Sequence, residues 1–228
     1  MPQPDSDQFL VFPPADTNKI PNYKQVIPVS VYHFYIIDEI GETAPFLDLI
    51  NTLKTAEEHD SIFIYLNTPG GSLQTTVQIL GAMRQSSANV VTSLEGEVCS
   101  AGTLIFLAGD KHIVNPNCTF MIHNYSQWVG GKGNEIASRV KYFEEYFRTL
   151  ANDIYGGFLT PQEIDLMMDG KDYWMNSEMV IERLKIRNDL LDAIVESVNS
   201  ISSENVNAFA ETIVPDEIPI VNKKSRKK

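Results

Sequence analysis

The sequence predicts an α/β fold in which repeated β-α units lay helices over a mainly parallel sheet. Three observations carry this. Runs rich in β-branched and aromatic residues alternate with amphipathic runs, the links between them are short, and two of those links are small-residue turns leading from a strand into a helix. A length of 228 residues suits one sizeable core with tails.

The elements follow in order. Pro2, Pro4, Pro13, Pro14, Pro21 and Pro28 forbid a regular helix over residues 1–28, which read as a Pro-rich arm. Ile27 to Ile40 reads as a strand or hairpin. Glu42 to Glu58 reads as a helix, with Phe46, Leu49, Ile50 and Leu53 at three- and four-residue steps. Ser61 to Leu66 is the next strand and Leu73 to Met83 the next helix. Val90 to Leu94 is strand-like, Thr103 to Leu107 an apolar helix buried against the sheet, and Lys111 to Val114 and Cys118 to Ile122 are short strands. A long helix then carries Ile136, Val140, Phe143, Phe147, Leu150 and Ile154 as a narrow apolar seam, widened by Tyr142 and Tyr146. Thr160-Pro-Gln-Glu163 has the form of a helix start, and that helix runs to about Met168 before Gly170 breaks it. The block Asp172 to Glu178 opens a last helix. Leu190 to Val198 is helical in pattern, Pro215 and Pro219 exclude a continuous helix there, and Lys223 to Lys228 form a basic end.

Composition removes several function classes. A net charge of −12 argues against a nucleic-acid binder, because phosphate neutralisation needs clustered Lys and Arg. Cys99 and Cys118 form no disulfide framework, and a reducing compartment is expected. The N-terminus lacks a basic region followed by an apolar one, and no apolar run approaches the roughly 20 residues that span a bilayer. The expectation is a soluble, cytoplasmic protein with no membrane partner. His and Cys show no zinc-ligand spacing, and Gly130-Gly-Lys-Gly133 lacks the P-loop pattern, so neither a metal nor a cofactor is expected.

Chemistry is concentrated near Ser100. It follows a strand and precedes Ala101, Gly102 and an apolar helix, so a strand-to-helix turn would present its hydroxyl at the sheet's edge, beside free helix N–H groups. The plainer reading is a helix N-cap. Two features favour a nucleophile: the second strand-to-helix turn, Asn67-Thr-Pro-Gly-Gly-Ser72, whose glycines allow close backbone approach, and His123 in Phe120-Met-Ile-His-Asn124 as a base. Cys99 reads as a buried filler rather than a thiol nucleophile. His112 reads as an exposed surface residue, and His33 and His59 are unaccompanied.

The two turns, Ser100 and Met121-Ile-His123 together resemble the Clp protease proteolytic subunit family, serine peptidases on a crotonase-like fold. The resemblance covers roughly Val31 to Leu184, and the spacing of Gly71 and Ser100 matches the family without a gap. It implies Ser100 as the acylated nucleophile, His123 as general base, and the Gly71 and Ala101 N–H groups as the oxyanion hole. It implies Asp172 as the acidic member. Asp165 and Asp169 crowd the same region, but Asp172 lies past the Gly170 break, ahead of Tyr173 and Trp174, and agrees with the family alignment. The implied substrate is a peptide or unfolded polypeptide bound extended between the segments after Gly71 and His123. The implied assembly is a homo-heptameric ring stacked as a tetradecamer through a protruding strand-helix handle, residues 124–156, served by an AAA+ unfoldase. Residues 29–186 would form the catalytic domain and 187–228 a C-terminal extension. Three places depart from the family: Val98-Cys99 before the nucleophile, Asn124-Tyr125 after the histidine, and Gly170-Lys171 ahead of Asp172. With the unusual ends they suggest a divergent, phage-encoded member, with capsid or scaffold proteins as alternative partners. A crotonase-type acyl-CoA enzyme and a non-catalytic ring component are the competing readings.

Overall fold

The computed structural model describes residues 28–211, with side chains as far as 196. The Pro-rich arm through residue 27 and the basic run at 223–228 lie outside the described residues.

The chain lays down β1 (Val31–Ile37), a 3₁₀ turn (Ala44–Phe46), α1 (Leu47–Thr55), β2 (Ser61–Thr68), α2 (Leu73–Gln85), β3 (Asn89–Cys99), α3 (Ala101–Leu107), β4 (Lys111–Val114) and β5 (Thr119–Ile122). Then come α4 (Gly133–Tyr155), α5 (Pro161–Met168), β6 (Tyr173–Asn176) and α6 (Ser177–Glu211). The strand order is β1-β2-β3-β5-β6, with β4 also on β3. All pairings are parallel except β5 with β6. This is the repeated β-α architecture with a mainly parallel sheet that the sequence predicts.

The strands show why. In β2, Ile62, Ile64 and Leu66 are fully buried on one face, while Ser61, Phe63 and Tyr65 are half-buried on the other. Each such aliphatic chain taken from water contributes about 1.5–3 kcal/mol. The opposite face of β1 and β2 is a ladder of stacked rings, His33, Phe63, Tyr65 and Tyr35, with Tyr35 exposed. Helix α3 is buried at every residue. His112 departs from expectation: it is half-buried, with Nδ1 3.0 Å from Thr92 Oγ1 and its ring against Phe106. Burial and then the nearby Arg187 cation push its pKa down to about 4. The side chain packs beneath β4, a location that sequence polarity around it did not reveal.

Three boundaries differ from the sequence reading. The Glu42 to Glu58 helix is shorter than its pattern suggests: residues 44–46 form the 3₁₀ turn, with Pro45 in it, and α1 runs only from Leu47 to Thr55. Tyr173–Asn176, read as a helix opening, is the antiparallel strand β6, with alternate residues buried. Helix α6 runs unbroken past residue 186 to Glu211, so the division between domain and extension falls inside a helix.

The apolar seam of α4 divides in two. Phe147, Ala151, Ile154 and Tyr155 are buried in this chain's own core, whereas Val140 and Tyr142 are exposed. Residues 123–132 form no strand, so the strand half of the expected handle is absent from the described chain. The exposed Trp128 lies in that segment.

Helix α5 starts as its sequence predicts. Thr160 Oγ1 accepts from the Glu163 N–H at 3.2 Å and Glu163 accepts from the Thr160 N–H at 2.9 Å. Arg183 donates twice to the Glu163 carboxylate, at 2.7 and 3.0 Å. The guanidinium, with the Thr160 N–H, outweighs burial and holds the Glu163 pKa down to about 2. A carboxyl depressed on folding adds stability above its unfolded value of 4.5, and that stability is lost as pH falls towards about 2. Thermal melts at about pH 5 and about pH 3 should therefore show a larger drop for wild type than for Glu163→Gln. Equal drops would mean that the ion pair carries no pH-dependent stability.

Candidate active site

A cleft of about 230 Å³ opens at the carboxyl ends of the central strands, lined among others by Gly71, Ser100, Ala101, Leu104, His123 and Tyr125. Open parallel sheets place their sites at these ends, where the helix-leading turns converge.

Ser100 is the junction of β3 and α3. Its φ and ψ are 54° and −126°, a left-handed conformation that costs a side-chain-bearing residue on the order of 1–3 kcal/mol. Its hydroxyl makes no capping hydrogen bond to α3. The N-cap reading is thereby lost: Ser100 occupies the cap position but its side chain does not cap, and it lines the cleft. Its N–H donates to the Met121 carbonyl at 2.8 Å, continuing the β3-β5 ladder to the strand that carries His123.

The Gly70-Gly71 turn meets this elbow. Gly70 has φ +98°, and a Cβ there would lie 2.6 Å from Ser100 Cβ and 2.9 Å from Ala101 N. Gly71 has φ +141°, and its Cβ would meet the Ile40 carbonyl at 2.3 Å. Ile40 brackets the turn by donating to Gly70 O at 2.7 Å and accepting from Ser72 N–H at 2.6 Å. The Gly71 N–H lies between these two bonds and is used by neither. The Ala101 N–H, first in α3, has no place in the helical ladder. Sequence alone marks the glycine pair without showing that Gly70 is the one that meets the elbow. The glycine pair was the available signal, since one glycine serves the turn and the other the close approach.

His123 follows β5 directly and lines the same cleft. The β5-β6 register sets Met121 opposite Trp174 and Ile122 opposite Tyr173. The pairing ends there; continued by one step it would bring His123 level with Asp172, both on the face of Met121 and Trp174 and away from buried Ile122 and Tyr173. Asp172 is exposed and outside the cleft lining. The side-chain hydrogen bonds in this neighbourhood run from Thr103 to the Ser100 carbonyl, from Asn124 to the Met168 carbonyl, and from the Tyr125 N–H to Asn124. Among the described residues none joins Ser100, His123 and Asp172. Of the competing carboxylates, Asp165 pairs with Arg148 at 2.5 Å, while Asp169 stands at the C-cap of α5, ahead of the Gly170 turn.

Cys99 is buried, and desolvation, reinforced by Glu97, pushes its thiol up to about 11. A protonated, enclosed thiol is a poor nucleophile. The cleft walls include Tyr125, Phe143, Phe147 and Tyr155, giving its interior an aromatic lining. Among the described residues, no group of His, Cys, Asp and Glu could hold a metal ion. No described helix is long and apolar enough to cross a membrane.

Comparison with known proteins agrees with this architecture. The family model "Clp protease" matches residues 36–211. The ATP-dependent Clp protease proteolytic subunit 2 of Pseudomonas aeruginosa is 28% identical over 128 residues, 54% of this chain and 62% of that protein. The ATP-dependent Clp protease proteolytic subunit of Deinococcus radiodurans is 30% identical over 146 residues, 63% of this chain and 69% of that protein. Subunit 3 of the chloroplast protease of Arabidopsis thaliana is 28% identical over 154 residues, 65% of this chain but 48% of its own length. The chain thus spans roughly half to two thirds of several relatives that it matches. A family match reaching from β1 into α6, over a sheet whose central turns form this cleft, places the chain in the Clp protease family.

Proposed function

We propose that this chain is a serine endopeptidase that cleaves extended polypeptides inside a ring-shaped compartment. The observation that carries the reading is the Ser100 elbow: a left-handed serine at a helix N-terminus, its hydroxyl uncapped, sharing a cleft with His123. A protein accepts such backbone strain where the surroundings over-determine it, and such positions cluster at sites of function.

In this mechanism His123 takes the Ser100 proton as Oγ adds to the scissile carbonyl. Asp172 orients the imidazole and stabilises the imidazolium. The carbonyl π electrons move onto oxygen, and the Gly71 and Ala101 N–H groups receive that charge. The imidazolium then protonates the leaving amine, and water releases the acyl group by the reverse sequence. Catalytic hydrogen bonds are often long before substrate binds, and directly opposed cross-strand residues have Cβ atoms about 4.5–5.5 Å apart, so modest side-chain rotation would link His123 to Asp172. Substrate main chain would pair with the segments after Gly71 and His123, which makes binding tolerant of sequence.

Assembly into heptameric rings, stacked as a tetradecamer, forms part of the proposal. The aromatic ladder on β1 and β2 lies on a parallel sheet, whose faces are ordinarily both covered. Val140, Tyr142 and Trp128 are further exposed apolar side chains that a neighbouring subunit could cover. An AAA+ unfoldase would supply substrate; capsid or scaffold proteins are the alternative source.

One experiment reads site and assembly together: native mass spectrometry after treatment with a serine-directed fluorophosphonate. The expected result is a ring or double-ring particle carrying one label per chain at Ser100. Label on Cys99, or label that persists in Ser100→Ala, would overturn the site. A monomer at micromolar concentration would overturn the compartment.

A further inference from the structure

The Ser100 carbonyl is held by a chain of groups outside the expected catalytic set. It accepts from the Thr103 N–H at 3.0 Å and from the Thr103 hydroxyl at 2.6 Å. Thr103 Oγ1 lies 2.8 Å from the Tyr155 hydroxyl. A hydroxyl has one proton, and Thr103 spends its own on the Ser100 carbonyl, so the Tyr155 O–H donates to Thr103 Oγ1. Tyr155 is 1% exposed and Thr103 fully buried. Burial raises the phenol pKa, which keeps the donor protonated. The chain of bonds therefore has one direction: Tyr155 to Thr103 to the Ser100 carbonyl.

That carbonyl belongs to the same peptide unit as the Ala101 N–H. A trans peptide is planar, with its C=O and N–H pointing opposite ways, so fixing one fixes the other. The Ser100-Ala101 unit also follows a left-handed residue with ψ −126°, a rotation that nothing in an ordinary strand or helix would hold. Hydrogen bonds accepted by a carbonyl also polarise the peptide and strengthen the N–H at its other end.

We propose that Tyr155 and Thr103 are positioning residues for the oxyanion hole, holding and polarising the Ser100-Ala101 peptide so that the Ala101 N–H meets the developing oxyanion. The inference rests on the serine-peptidase reading. Tyr155 ends α4 and lines the cleft as well, so its ring forms a wall while its hydroxyl acts through Thr103. The role is separable from packing, because Tyr155→Phe keeps the ring and Thr103→Val keeps the shape.

The test measures kcat and KM on a fluorogenic peptide, and affinity for a peptide boronate, whose adduct with a serine hydroxyl imitates the tetrahedral intermediate. Misplacing one oxyanion donor should cost less than the roughly 10²–10³-fold of deleting it, so Tyr155→Phe and Thr103→Val should each lower kcat by about tenfold or more. KM should stay within about twofold, and boronate affinity should fall in step with kcat/KM. Because the two hydroxyls act in series, the double variant should lose little more than Thr103→Val alone, and Thr103→Ser should retain most of the rate. Native mass and thermal melting of each variant establish that it folds and assembles as wild type does. The proposal is overturned if Tyr155→Phe keeps kcat and boronate affinity. It is equally overturned if the loss lies in KM, or if Thr103→Ser, folded and assembled, is as slow as Thr103→Val. A wild-type protein that takes neither boronate nor fluorophosphonate at Ser100 overturns the serine-peptidase reading and this inference with it.

Discussion

Replacing Ser100 with Ala should lower peptide turnover by about 10⁴- to 10⁶-fold, the largest effect expected of any single substitution in this chain. In the proposed mechanism the hydroxyl is the group to which the acyl chain transfers, and no neighbour is placed to take over that role. Cys99 is adjacent in sequence, but it lies inside β3 with its thiol protonated by burial. Thr103 is one helical turn away, and its hydroxyl is committed to the Ser100 carbonyl. Residual rate should therefore come only from substrate binding and the oxyanion donors acting on water. Fold and assembly should survive, because removing Oγ breaks no hydrogen bond to a described residue and leaves the Ser100 N–H on the Met121 carbonyl. Alanine must still adopt a positive φ, a strain that serine already bears, so melting should move little. Steady-state kinetics beside thermal melting separates the two effects. A variant that unfolds with its activity would show that Ser100 is structural; a variant within tenfold of wild type would show that another group is the nucleophile.

Much of this arrangement was legible in the sequence, for identifiable physical reasons. The strands at Ser61 and Val90, the helices at Leu73 and Thr160, and the two small-residue turns carry strong local signals of periodicity, capping and glycine placement. The elbow was legible as a location but not as a conformation. Serine before an apolar helix is equally the pattern of an N-cap, and only the backbone torsions distinguish the two. The short strand Tyr173–Asn176 escaped because four residues abutting a helix start carry too little periodicity to announce a strand. His112 reads as exposed because polar neighbours along β4 say nothing of the Phe106 ring and Arg187 that lie near it from other elements. The α4 seam shows the reverse limit. Its spacing declares an apolar face but not that Phe147 belongs to this chain's core while Tyr142 remains uncovered. A charge at Phe147 would therefore damage the cleft wall and the core together, and Tyr142 is the cleaner position from which to probe contact with a second ring. Tyr155 and Thr103 illustrate the same point, because a hydrogen bond between residues 52 positions apart leaves no trace in local pattern.

Asp172→Asn should lower turnover by about 10³- to 10⁴-fold while leaving fold and particle mass unchanged. The choice of Asp172 over its neighbours rests on sheet register. β5 and β6 pair as far as Ile122 opposite Tyr173, and the same register continued by one step would set His123 against Asp172. Asp169 lies three residues further along, at the C-cap of α5 and beyond the left-handed Gly170, which turns the chain out of the ladder. Asp165 is held by Arg148 on the exposed side of α5. Neither can become the cross-strand neighbour of His123 without unpairing β6, whose Tyr173 and Met175 are buried. Asparagine keeps the shape of aspartate but presents an amide, so it loses the negative charge that stabilises the imidazolium and permits the wrong imidazole tautomer. Because Asp172 is exposed, its pull on His123 is screened by water unless substrate or a neighbouring subunit covers it. The loss should accordingly be largest in the assembled particle and appear in kcat rather than KM. Asp169→Asn and Asp165→Asn should remain within about threefold of wild type, apart from the small stability that the Arg148 pair contributes. If Asp169→Asn is the variant that loses turnover while Asp172→Asn keeps it, the β5-β6 register does not extend to His123 and the acidic partner has been misassigned.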